Sequence, residues 1–116
     1  MIKQSITTNK HGKIEVMLIV AIFKEDKYYV AYCPSLDLSS YAKDVAGAKK
    51  AFSDELDIFF EETNRKGTLE KLLLKQGWTL QPNQFQSPSL SAKVINQLRK
   101  YQDITFKEEK YKIAYA

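Results

Sequence analysis

Few side chains in this 116-residue chain belong to the types that carry covalent or metal chemistry. There is one cysteine, Cys33, and one histidine, His11. A thiol acts as a nucleophile when a nearby base or positive charge favours the thiolate. Cys33 has no histidine close to it in the sequence, Pro34 follows it and its neighbours are apolar, so it reads as a small buried residue. His11 stands in a polar lead-in beside Gly12 with no ligand partner at metal-binding spacing, and reads as an exposed loop residue. Metal-assisted phosphoryl transfer needs several carboxylates converging on Mg²⁺. Here Asp37 falls in a strand-like stretch, whereas Asp54, Glu55, Asp57, Glu61 and Glu62 spread around a predicted helix as a solvated face. No G-x-G-x-x-G or Walker pattern occurs. The expectation is a chain with no catalytic, metal-binding or cofactor-binding residue and no cofactor: not an enzyme, but a domain that works by contacting another macromolecule.

Two residue sets are suited to such contact. Tyr28, Tyr29, Tyr32 and Tyr41 sit on adjoining predicted strands, and Phe106, Tyr111, Ile113 and Tyr115 fall at mostly alternate positions near the chain end. Together they form a candidate partner or oligomer interface. Exposed sheet aromatics can also stack bases, against the plainer reading of cross-strand packing. Lys93, Arg99, Lys100, Lys107, Lys110 and Lys112 are the candidate nucleic-acid contacts, since they could neutralise phosphates; Asp103, Glu108 and Glu109 lie among them, as on an ordinary solvated surface.

The elements that must position these residues read as an α+β domain. Lys13 to Phe23 is rich in β-branched residues, and its continuous apolar second half predicts a strand covered on both faces. Lys24 to Lys27 is a charged turn, and Tyr28 to Cys33 returns as the second strand of a hairpin. Pro34 interrupts pairing, and Leu36, Leu38 and Ser40 alternate with Asp37, Ser39 and Tyr41 in a weaker third strand. Asp44 is placed to cap a helix running to about Arg65, with Val45, Ala48, Ala51, Phe52, Leu56, Ile58 and Phe59 as its apolar face. Arg65 and Lys66 suit the negative end of that helix, and Gly67 suits a left-handed stop. Thr68 should cap a second, short helix carrying Leu69, Leu72 and Leu73, ended by Gly77; Trp78 to Leu80 is then a short strand. The polar stretch from Asn83 to Ser91 reads as a linker or extended arm, followed by a helix over Ala92 to Tyr101 and a strand in the last dozen residues. The expected architecture is a small three- to four-stranded antiparallel sheet with one long helix on one face and a second short helix. Residues 1–82 form the domain and residues 83–116 a C-terminal extension of arm, helix and strand. A thin sheet leaves an edge to be covered, so the extension is expected to cross onto a second copy and make a homodimer.

Composition fits one ordinary globular domain, with 44% hydrophobic and 28% charged residues. The net charge of +4 is uneven: residues 1–82 carry 12 Lys and Arg against 11 Asp and Glu, and residues 83–116 carry 6 against 3. A single cysteine cannot close an internal disulfide, so a reducing compartment, the cytoplasm, is expected. The longest apolar run, Val16 to Phe23, is far short of a bilayer span, and Met1 to Lys13 is polar rather than signal-like; no membrane contact is expected.

The string Tyr29-Val30-Ala31-Tyr32-Cys33-Pro34-Ser35-Leu36, followed by a strand and by a helix with Asp44 as cap and Ala48 in its second turn, resembles the N-terminal domain of the HicB-like family. Characterised members of that family are antitoxins of type II toxin–antitoxin systems. The resemblance covers a little under half the chain, from Tyr29 to about Leu80. Asp37-Leu38-Ser39 stands where members usually have Pro-Gly-Cys, and Ala46-Gly47 where an acidic pair is common. Typical members add a ribbon-helix-helix or helix-turn-helix DNA-binding module, and residues 83–116 match neither pattern. The resemblance implies a truncated ribonuclease-H-type fold and a non-catalytic protein that binds and occludes a small RNA-cleaving toxin, HicA-like. The other reading is a stand-alone oligomeric domain that binds nucleic acid or another protein through its basic extension.

Overall fold

The computed structural model describes residues 4–8, 13–81, 84–88 and 92–114. His11, Pro82, Asn83 and Tyr115 lie outside them. In chain order the elements are β1 (Ser5–Thr8), β2 (Lys13–Glu25), β3 (Tyr28–Cys33), β4 (Leu38–Ala42), α1 (Val45–Lys66), α2 (Leu69–Lys75), β5 (Thr79–Gln81), β6 (Gln84–Gln86), α3 (Ala92–Leu98) and β7 (Gln102–Ala114). The α+β class expected from the sequence holds, but the sheet formed by the described residues has seven strands rather than three or four. The additional strands include β1 and β6, read above as lead-in and arm. Each is short and polar with one apolar residue, Ile6 or Phe85, so neither shows the alternation by which a strand is recognised.

β2 organises the sheet. Along one edge it pairs antiparallel with β7, from Lys13 opposite Ala114 to Lys24 opposite Gln102, with a register shift between Ile22 and Lys24. Its other edge is shared: Ile14 to Met17 pair with β1, and Ala21 to Glu25 pair with β3. From this fork one branch continues to β4 and the other to β6 and β5. The extension expected to reach a second copy therefore supplies β6 between β1 and β5, and β7 beside β2 of its own chain.

The fork leaves a stretch of β2 between its two partners, and a side chain fills it. Gln4 is only 3% exposed. Its Oε1 accepts from the Ile19 N–H at 2.8 Å and from the Ser35 hydroxyl at 2.9 Å, while its Nε2 donates to Ser87 Oγ at 3.4 Å. Its backbone carbonyl accepts from the Ser87 N–H at 3.2 Å. A buried backbone N–H must find an acceptor, and here a side-chain amide substitutes for a strand carbonyl.

Strand parity separates two cores. Ile14, Val16, Leu18, Val20 and Ile22 point to one face, where they meet Ala31, Cys33, Leu36 and the buried stripe Ala48, Phe52, Leu56 and Phe60 of α1, together with Leu73 and Trp78. Ala21 and Phe23 point to the other face, where Leu98, Val94, Tyr101 and Ile104 pack on them. The apolar half of β2 is thus covered on both sides, as its continuous pattern predicts. The α1 stripe runs at i, i+4 through Phe60, which leaves Val45 and Ile58 exposed although both belong to the predicted face.

The helix signals hold with one exception. Asp44 Oδ1 accepts from the Gly47 N–H at 2.6 Å, and Gly67 adopts φ 67° with its N–H on Asn64 O and that of Thr68 on Thr63 O, a Schellman stop. Thr68 makes no side-chain cap bond for α2, because its backbone is already committed to ending α1. Gly47 has a steric role: a Cβ there would lie 2.9 Å from Ala42 Cβ, so the first turn of α1 seats directly on β4. Trp78, expected at the start of a strand, is instead buried just before β5 and donates from Nε1 to Ser35 O at 2.8 Å.

The fork predicts a specific energetic consequence. Gln4→Ala strands the Ile19 N–H in the interior and should destabilise the fold by about 2 kcal/mol. Urea unfolding should show a lower midpoint with an unchanged slope, and a midpoint equal to wild type would remove Gln4 from this role.

Candidate interaction surface

The predicted tyrosines divide by parity. Tyr29 faces α1 and packs against the main core. Tyr28, Tyr32 and Tyr41 fall on the opposite face, since Tyr41 pairs with Val30 and both lie in the row that contains Phe23. α3 and Tyr101 cover part of that row; Phe23 and Tyr101 stack with centroids 4.3 Å apart. Beyond this cover, towards the β4 margin, Tyr41 is 68% exposed and Tyr28 41% exposed, and their rings meet edge-on at 5.4 Å. Glu25, Asp26, Tyr28, Val30, Ser39, Ser40 and Tyr41 line a concavity there. The charged residues lining it are both carboxylates, and neither belongs to an ion pair among the described residues.

Local sequence builds this site. Asp26, at φ 56°, tolerates the left-handed turn that sends β2 back as β3, and Asp37, at φ 54°, does the same between β3 and β4. Asp37 Oδ1 accepts from the Tyr32 hydroxyl at 3.3 Å. Burial first, and the Asp37 charge second, push the Tyr32 phenol above its ordinary value of 10.0.

The other predicted contact residues do not form one surface. Phe106 pairs with Ala21 and lies on the α3 side of the sheet, partly exposed, whereas Tyr111 and Ile113 pair with Val16 and Ile14 and face α1. The parity change between Phe106 and Tyr111 divides the group. Burial, followed by the Glu109 charge, pushes the Tyr111 phenol upward. Of the six basic residues expected to contact phosphate, Lys107 lies apart from the other five. Lys107 pairs with Val20 on the α1 side, Lys110 and Lys112 pair with Met17 and Glu15 on the other, and Lys93, Arg99 and Lys100 are exposed on α3 and the turn after it. Lys100 Nζ sits 5.2 Å from the Tyr101 ring centroid.

Among the described residues no three of His, Cys, Asp and Glu lie close enough together to hold a metal ion. Cys33 is fully buried, with Sγ 3.2 Å from Ser35 Oγ, and burial pushes its thiol above the ordinary value of 9.0. Two residues that matter here carried no sequence signal. Gln4 looks like any polar residue near a chain start, and Ser35 is an unremarkable turn residue, yet Ser35 accepts from Trp78 and donates to Gln4. Among the described residues no helix is long and apolar enough to cross a membrane. Comparison with protein-family models, curated proteins and solved structures finds no match to this chain.

The raised acids set an alkaline limit. The fold holds Cys33, Tyr32 and Tyr111 in their neutral forms, so the stability they support is intact below about pH 9 and is lost as pH rises through the folded-state values. Unfolding midpoints should stay level near neutrality and fall above pH 9, and the native thiol should resist a disulfide reagent that labels it in denaturant. Rapid labelling of native protein would contradict the buried placement.

Proposed function

We propose that the chain is a non-catalytic binding protein of the HicB-like antitoxin type, whose exposed tyrosine face receives a small basic RNA-cleaving toxin and blocks access of its substrate. The observation that carries this reading is the pairing of Tyr41 and Tyr28 on an uncovered sheet margin beside Glu25 and Asp26. Large aromatics held rigidly at a surface give contact area at small entropic expense, and carboxylates with no ion-pair partner among the described residues attract a cationic partner. The adjoining outer edge of β4 offers backbone groups to an extended segment of that partner. Occlusion needs no reacting group, and the order of strand, strand, strand and capped helix is the one the family resemblance implies. In this reading the chain is a truncated ribonuclease-H-type domain.

The partner is sought as the product of a neighbouring reading frame encoding a short basic protein with a central histidine. The two purified proteins should co-elute, and RNA cleavage by the partner should stop at stoichiometric addition. Tyr28→Ser with Tyr41→Ser should weaken the complex by at least about tenfold and shift the unfolding free energy by less than about 1 kcal/mol, since Tyr41 is largely solvated and Tyr28 partly so. Separate elution of the two wild-type proteins would sink the reading. Salt-dependent retention of the chain alone on a nucleic-acid column, without toxin binding, would favour contact through the basic extension instead.

A further inference from the structure

The margin of the sheet opposite the tyrosine face poses a separate problem. β4 and β5, the other outer strands, have 5 and 3 residues, whereas β7 has 13 and is paired only along its β2 side. Exposed edges are normally kept short, because a long one is a template for another chain. α1 lies chiefly over β4 and β3, and the α1 side chain in an ion pair with β7 is Lys49, whose Nζ is 3.7 Å from Glu109 Oε1. Neither α1 nor α3 pairs with the outer edge of β7, so nothing among the described residues closes it.

We infer that this edge is the contact with a second copy of the chain, the two β7 strands running antiparallel about a two-fold axis centred on Glu109, so that the sheets join into one. Charge and parity set the register. A two-fold axis normal to the sheet keeps the faces of both copies aligned, so directly opposed residues must share a face and their numbers must have the same parity. Registers centred on Glu108, Glu109 or Lys110 each set glutamate against lysine twice, and each also sets the central residue against its own copy. Centring on Glu109 is the arrangement in which that central charge is already neutralised within each copy, by Lys49. It opposes Glu108 to Lys110 twice on the α3 side and lays Lys112 against the exposed Phe106 ring. Opposite charges directly across a ladder attract and like charges repel, so the charges of β7 narrow the choice to these three registers and the Lys49–Glu109 ion pair selects among them. This contact is independent of the antitoxin reading: β4 and β7 bound opposite sides of the row β4-β3-β2-β7, so a copy on one leaves the tyrosine face open.

Three measurements on the full chain test it. Light scattering at micromolar concentration should give a dimer. Glu109→Cys places two thiols face to face on the axis, at a Cα separation of about 4.5–5.5 Å for either type of antiparallel pair, within reach of a disulfide. Mild oxidation should therefore cross-link it, with the buried Cys33 silent, whereas Glu108→Cys should stay uncoupled. Glu108→Lys opposes lysine to lysine twice and should weaken association by about tenfold, and Glu108→Lys with Lys110→Glu should restore it. A wild-type monomer overturns the inference, and so does a dimer that Glu109→Cys fails to cross-link. Retained folding of each variant is read from circular dichroism, so loss of the dimer is distinguished from loss of the protein.

Discussion

β2 gives one edge to β7 and divides the other between β1 and β3, and this division is the constraint from which the architecture follows. A strand edge shared by two partners must leave backbone groups between them. The Gln4 amide closes that gap at Ile19 and ties the fork to Ser35 in the turn before β4 and to Ser87 after β6. Ser35 also receives the Trp78 indole, so one polar junction joins both branches of the sheet to the segment after α2. Such a network stabilises because every member is satisfied; in the interior an unpaired group among them would be costly.

The same division explains why the two faces are covered unequally. The α1 face of β2 is apolar from Ile14 to Ile22 and receives a 22-residue helix with the segment around Trp78. On the opposite face Met17 and Ile19 are half-buried, and Ala21 and Phe23, where β3 has joined, are buried with the 7-residue α3. Beyond α3 the aromatic row continues uncovered as Tyr28 and Tyr41. The carboxylates of Glu25 and Asp26 lie beside that aromatic margin.

Charge along β7 is arranged differently. Its lysines and glutamates divide between the faces: Lys107 and Glu109 lie on the α1 side, and Glu108, Lys110 and Lys112 on the α3 side. Placed on one outer strand, the same residues become a register code.

Sequence alone determined the helix and its limits, because capping and C-terminal glycine chemistry are local: Asp44, Gly67 and the i, i+4 stripe through Phe52 and Leu56 are each legible within a few residues. It likewise determined β2 and β3, whose β-branched and aromatic runs need no context, and the buried setting of Cys33. Tertiary structure decided the number of strands. β1 and β6 are held by pairing to neighbours rather than by their own pattern, and Ile6 and Phe85 are the one apolar residue each contributes to the core. It also decided which aromatics share a face, since Phe106 and Tyr111 are read apart only when each has a partner on β2. Local interactions write their signature in adjacent residues. A pairing between residues distant in the chain, such as Gln4 with Ile19 and Ser87, exists only once the chain has closed on itself.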